Sequence, residues 1–199
     1  MKTTREEIID KAATLFMQRG YHDVPVKDIA AEVNINPSGL FFHFKNKEEI
    51  YKCVVEKYVV KTMDIPSNFG NCDGMTLRTF LDHYIVCTKK RMKTMNSIIK
   101  MKENTVRAYY SFMLECSATD KRYGESILKF DNDEILLWTS VIERAQKNGE
   151  IRSDIPPLQL AKIFKRSFVG TSYTETYGKG ISILELTELF NNMYALMKI

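Results

Sequence analysis

The chain is short of the residues that interrupt helices. Five prolines and nine glycines among 199 residues leave room for long regular elements and argue against a loop-rich fold. No stretch approaches the roughly twenty consecutive apolar residues that a membrane span needs. The start, "MKTTREEIID", has no apolar run behind its charges, so neither a signal peptide nor a membrane partner is expected. The four cysteines, Cys53, Cys72, Cys87 and Cys116, include no Cys-x-x-Cys pair and no histidine at ligand spacing. That excludes the common zinc frameworks and reads as reduced thiols in a cytoplasmic protein, with no metal and no cofactor. Catalytic patterns are missing as well: no paired acid and base, no Ser/His/Asp or Cys/His arrangement, no glycine loop to cradle a phosphate. Tyr177-Gly178-Lys179-Gly180 reads as an interhelical turn, and an enzyme is not expected. A strong charge excess is also lacking: the formal charge of +4 permits a nucleic-acid partner without demanding one.

What is present is helical periodicity. Thr4, with Glu7 three residues on, forms a capping box. Ile8, Ile9, Ala12, Ala13, Leu15 and Phe16 then recur at helical spacing up to Gly20. A second helix is expected from Pro25, with Ile29, Ala30 and Val33 on its apolar face. Asn34 accepts a left-handed turn, Asn36 is a strong N-cap and Pro37 suits the first helical position, so a third helix is expected over about Pro37 to Phe44. Asn46 with Glu49 opens a fourth, running to about Met63. Asp64 to Met75 reads as a loop. Amphipathic segments follow over about Thr76 to Met95, Ser97 to Asn104, Thr105 to Thr119, Asp133 to Lys147, Pro157 to Tyr177 and Ile181 to Met197. The expected fold is all-α, with about nine to ten helices: a small N-terminal unit and a larger C-terminal helical bundle.

Two short helices joined by a three- or four-residue turn make a helix-turn-helix, whose second helix would enter the DNA major groove. The stretch "NINPSGLFFHFKNKEEI" fits that use. Leu40 and Phe44 are i, i+4 neighbours suited to the core, leaving Phe41, Phe42 and His43 for another face.

The residues Thr4 to Ile50 resemble the DNA-binding domain of the tetracycline-repressor (TetR) family. The family pattern is a first helix ending Phe-x-x-x-Gly-Tyr, a Val-x-x-Ile-Ala helix, a turn, a Leu-Tyr-Tyr-His-Phe recognition helix and a Lys-x-Lys-Glu-Glu start to helix four. Here these are Phe16 to Tyr21, Val26 to Ala30, Leu40 to Phe44, and Lys45 to Glu49. The resemblance implies a DNA-binding domain over residues 1–47 and a ligand-binding and dimerisation domain over 48–199. It implies base or phosphate contact by Lys27, base reading by Pro37, Ser38 and Gly39, backbone contact by Phe41 and Phe42, and phosphate contact by His43 and Lys47. Lys45 reads equally as a surface lysine or a phosphate ligand. Phe41 and Phe42 replace the usual tyrosines, which removes two hydroxyls; Phe41 retains an apolar edge suited to a thymine methyl. Val24 stands where a threonine or serine cap is usual.

The function the resemblance implies is a transcriptional regulator: a repressor released from a palindromic operator in double-stranded DNA by a small-molecule effector. The other reading is an effector-independent architectural DNA-binding protein. A palindrome calls for a homodimer. The expected interface is a four-helix contact by the last two helices, through Leu160, Phe164, Phe168, Ile183, Leu186, Phe190, Met193 and Met197. His83, Tyr84, Cys87, Met101, Tyr109, Tyr110, Met113 and Trp138 are candidates to line an effector pocket, each also a candidate core residue. The basic run from Thr88 to Arg107 reads either as a solvated face or as a cluster that draws DNA or an anionic effector.

Overall fold

The computed structural model describes residues 4–101 and 104–199. The helices are α1 (Arg5–Arg19), α2 (Val26–Glu32), α3 (Pro37–Leu40), α4 (Lys47–Tyr58), α5 (Ile65–Phe69), α6 (Leu77–Ile99), α7 (Thr105–Thr119), α8 (Lys121–Lys147), α9 (Pro157–Thr174) and α10 (Ile183–Met197). Short 3₁₀ turns follow α4 and α9. Among the described residues the only β pairing is an isolated antiparallel bridge between Ile151 and Lys198, so the fold is all-α.

The chain forms two compact units. The first comprises Met1–Met63 and Thr94–Ser126, and the second Asp64–Lys93 and Ile127–Ile199. α6 and α8 contribute to both. A division at residue 47 does not follow this packing. α4 buries Ile50, Tyr51, Val54 and Val55 in the same core as Ile8, Ala12 and Phe16 of α1, and α7 adds Ala108, Phe112 and Cys116.

In the first unit the local chemistry of the caps sets the elements. Thr4 accepts from the Glu7 N–H at 3.2 Å, Asn36 from Gly39 at 2.7 Å, and Asn46 from Glu49 at 2.9 Å. Each supplies an acceptor to a helix N-terminus that has none of its own. α2 closes in a Schellman motif: Asn34, at φ 55°, donates to the Ala31 carbonyl and Ile35 to that of Ala30. Pro25 is the N-cap of α2 and caps nothing with its side chain; Val24 before it is a wholly buried core residue. α3 is only four residues long, and Phe41 to Phe44 continue as turns bonded to Ser38, Gly39 and Leu40.

The second unit is built around an aromatic cluster. Trp138 of α8 meets Phe80 and Tyr84 of α6 at 4.8 and 4.9 Å between ring centroids and stacks on Phe164 of α9 at 5.0 Å, and Phe190 of α10 closes the group. Deep in this unit the Tyr84 hydroxyl donates to Glu134 at 2.6 Å, and the Lys165 ammonium donates to the other carboxylate oxygen at 2.8 Å. Burial, with Glu134 beside it, holds the Tyr84 phenol well above its ordinary range. Breaking such a buried pair on one side costs about 3–5 kcal/mol, since it strands a charge away from water.

Three stretches depart from expectation. The presumed loop after Asp64 contains α5, capped by Asp64, which accepts from the Ser67 N–H at 2.9 Å. α6 runs unbroken to Ile99, so Ser97 does not open a separate helix, and Lys100 and Asn104 take left-handed conformations instead. Lys102 and Glu103, part of the basic run, lie outside the described residues. α8 begins at Lys121, twelve residues before the Asp133 expected from periodicity. No residue of its first three turns is fully buried, and Tyr123 and Phe130 pack only partly against the cores; Asp120 opens the helix by accepting from the Arg122 N–H at 3.0 Å.

Candidate nucleic-acid interface

The α2–α3 pair is held from below. Ile29, Ala30, Val33, Leu40 and Phe44 are buried, with Ile35 packed against them. Leu40 and Phe44 therefore point inward, and their neighbours are turned out: Phe41 is 53% exposed and Phe42 90%. Lys27, Pro37, Ser38 and Lys45 are exposed, and Gly39 and His43 half-buried. Ser38 does not present a free hydroxyl: it donates to the Asn36 carboxamide oxygen at 2.8 Å. A Cβ on Gly39 would stand 3.2 Å from that same oxygen, so a side chain there would press on the cap.

Lys47 is half-buried, with its ammonium 4.3 Å from the centre of the Tyr21 ring. Burial lowers its pKa against the opposing pull of Glu115 and Asp23. It thus grips the α1–α2 turn. That turn is held again by α7: the Tyr21 N–H donates to both Glu115 oxygens, at 3.0 and 3.1 Å.

Sequence reasoning overlooked Arg5. Its guanidinium lies 4.3 Å over the Phe44 ring and donates to the His43 carbonyl at 3.1 Å and to Glu49 at 3.0 Å. It also donates to the Cys53 sulfur at 3.3 Å. This one side chain fixes the junction that carries Phe42 and His43. The partners lie 38 to 48 residues along the chain, so no local pattern announces them.

A family model described as bacterial regulatory proteins, tetR family, matches residues 8–54, the segment that builds this interface. Over that segment the chain resembles the DNA-binding part of the tetR family. The chain is 46% identical over 52 residues to the biofilm operon icaADBC HTH-type negative transcriptional regulator IcaR of Staphylococcus epidermidis, covering 26% of this chain and 28% of that protein. With the IcaR of Staphylococcus aureus strain Newman it shares 34% over 91 residues, covering 44% of this chain and 48% of the relative. The chain thus spans less than half the length of either curated relative. In fold it is similar to a transcriptional regulator from Saccharomonospora viridis crystallised with choline. That likeness has a TM-score of 0.70, 19% identity, and coverage of 98% of this chain and 97% of the other.

The other expected sites are placed differently. Tyr84 and Trp138 are wholly buried core. Cys87 is buried beside His83, whose Nε2 lies 2.6 Å from the Phe69 carbonyl and 3.4 Å from the Cys87 sulfur. Met101, Tyr109, Tyr110 and Met113 belong to the first unit. A cleft of about 680 Å³ in that unit is lined by Phe16, Arg19, His22, Arg107, Phe112 and Glu115 among others; of the eight candidates, Met101 lines it.

The stripe expected at a dimer contact is largely buried within one chain. Leu160, Phe164, Leu186, Phe190, Met193 and Met197 are buried in the core of the second unit within a single chain; Phe168 and Ile183 are half-buried. The buried side chains pack around the aromatic cluster in the core of that unit. The outward faces of α9 and α10 carry Ile163, Tyr173, Leu184 and Leu196. Among the described residues no group of three or more His, Cys, Asp and Glu could hold a metal ion, and no helix is long and apolar enough to cross a membrane.

Proposed function

We propose that this chain is a sequence-specific DNA-binding transcriptional regulator, a repressor that a small-molecule effector releases from a palindromic operator. The observation that carries the reading is the two-sided stretch at the end of α3. Leu40 and Phe44 lock it into the helix-turn-helix core while Phe41, Phe42 and the cations Lys27 and Lys45 of the same motif stay outside. An exposed aromatic pair in a motif that also exposes lysines suits a polyanion that also offers apolar contacts. The names of the Staphylococcus relatives, negative transcriptional regulators, support repression.

Two copies would place two α3 elements in successive major grooves, roughly 34–36 Å apart. An effector would act by binding one spacing more tightly than another, and its effect is bounded by that difference in affinity. Selection of bound fragments from random DNA, followed by titration at fixed salt, tests the reading. A palindromic consensus bound at least a thousandfold more tightly than random duplex is expected. Equal affinity for both would instead fit an architectural binder without sequence choice.

A further inference from the structure

The outer end of the recognition element is poor in groups that can hydrogen-bond a base. The Ser38 hydroxyl donates to Asn36 at 2.8 Å, and the same Asn36 oxygen accepts from the Gly39 N–H at 2.7 Å. Pro37 has no N–H. Gly39 has no side chain, and a Cβ there would meet Asn36 Oδ1 at 3.2 Å and Ile35 Cδ1 at 3.4 Å. What projects instead is carbon: Phe41 is 53% exposed and Phe42 90%. Two adjacent phenylalanines this open to water are uncovered apolar surface awaiting an occupant. Exposed Lys45 follows Phe42 by three residues, and exposed Lys27 lies in α2 of the same helix-turn-helix, so the occupant is matched to negative charge.

The floor of the major groove offers one apolar group among its donors and acceptors, the C5-methyl of thymine. We propose that Phe41 and Phe42 read thymine methyl groups, so that sequence preference in this chain rests largely on carbon contacts, the Ser38 hydroxyl proton being already given to Asn36 and Gly39 having no side chain. This deepens the DNA-binding reading of α2 and α3 and rests on it. The operator should hold fixed thymines in each half-site whose methyl groups matter.

Deoxyuridine in place of thymidine removes the methyl and leaves every base-pairing and groove hydrogen-bonding group in place. The experiment titrates the full chain against the selected operator, with each thymine replaced in turn, at one salt concentration. At one or more thymines per half-site the replacement should weaken binding about fourfold, the value of one buried methyl. The same titrations with Phe41→Ala and Phe42→Ala identify the partner, because the penalty should vanish in the variant that has lost the contact. Both side chains lie outside the core, and unchanged thermal unfolding of the variants checks that the fold is kept. The proposal is overturned if every uracil-substituted operator binds like the parent, or if the penalty persists in both variants. Failure to select any DNA at all would overturn the DNA-binding reading together with this one, and is a separate result.

Discussion

At the scale of single residues, some roles are visible in the sequence and some are not. Asn34, Asn36 and Asn46 do what their chemistry dictates, because a left-handed turn or a cap needs only neighbours within a few positions. Ser38 and Lys47 were legible as positions but not as contacts. Ser38 spends its hydroxyl on Asn36, and Lys47 lies over Tyr21, 26 positions earlier in the chain. Lys47 can still meet a phosphate, because a cation over a ring keeps its charge and its exposed edge. Lys47→Met keeps the apolar stem against Tyr21 and removes that charge. The expected outcome is an equal loss of affinity for operator and random duplex, with the slope of log K against log salt shallower by about 0.9. A salt slope identical to that of the parent would confine Lys47 to holding the α1–α2 turn.

At the scale of elements, long amphipathic helices were legible where they bury a stripe, and illegible where they are held from afar. α8 ends in a Schellman motif that needs a positive φ at Gly149, which donates to Gln146 at 3.1 Å while Glu150 donates to Ala145 at 2.9 Å. The turn then aims the Glu150 carboxylate at the start of α6. It accepts from the Leu77 N–H at 2.8 Å, from Arg78 at 2.9 Å and from the Tyr194 hydroxyl at 3.1 Å. The sequence around Asn148 and Gly149 announces a turn; that the next residue caps a helix 72 to 73 positions earlier depends on the packed unit. Glu150→Ala leaves two helix N–H groups and a phenol without their acceptor. It should cost about 2 kcal/mol, with Glu150→Gln costing less because one acceptor oxygen remains. Hydrogen exchange at the Leu77 and Arg78 amides checks this directly: protection should drop in Glu150→Ala, and unchanged protection would mean that water or another group caps α6 equally well.

At the scale of the whole molecule, the question is what two copies would share. The fold class and the helix-turn-helix were legible because each follows from local periodicity and turn chemistry. The dimer face was not, since a helix that is apolar on more than one side does not say which side its own chain will cover. Six of the eight expected residues go to the core of the second unit. The face left over on α10 runs through Leu184, Glu188, Asn192 and Leu196, and that on α9 through Ile163, Arg166, Gly170 and Tyr173, each series at helical spacing. Leu184 is 70% exposed and Leu196 78%, too open to contribute to a monomer's stability. A palindromic operator needs a two-fold partner, and these faces are the apolar surface that α9 and α10 still have to offer it. Sedimentation at micromolar concentration should show a dimer. Leu196→Glu puts a charge into that contact without touching the core, so it should weaken self-association more than tenfold and lower operator affinity with it, while far-ultraviolet dichroism and melting stay those of the parent. A parent that sediments as a monomer would remove the dimer from the mechanism. A variant that dimerises as well as the parent would place the two-fold contact on another face of the chain.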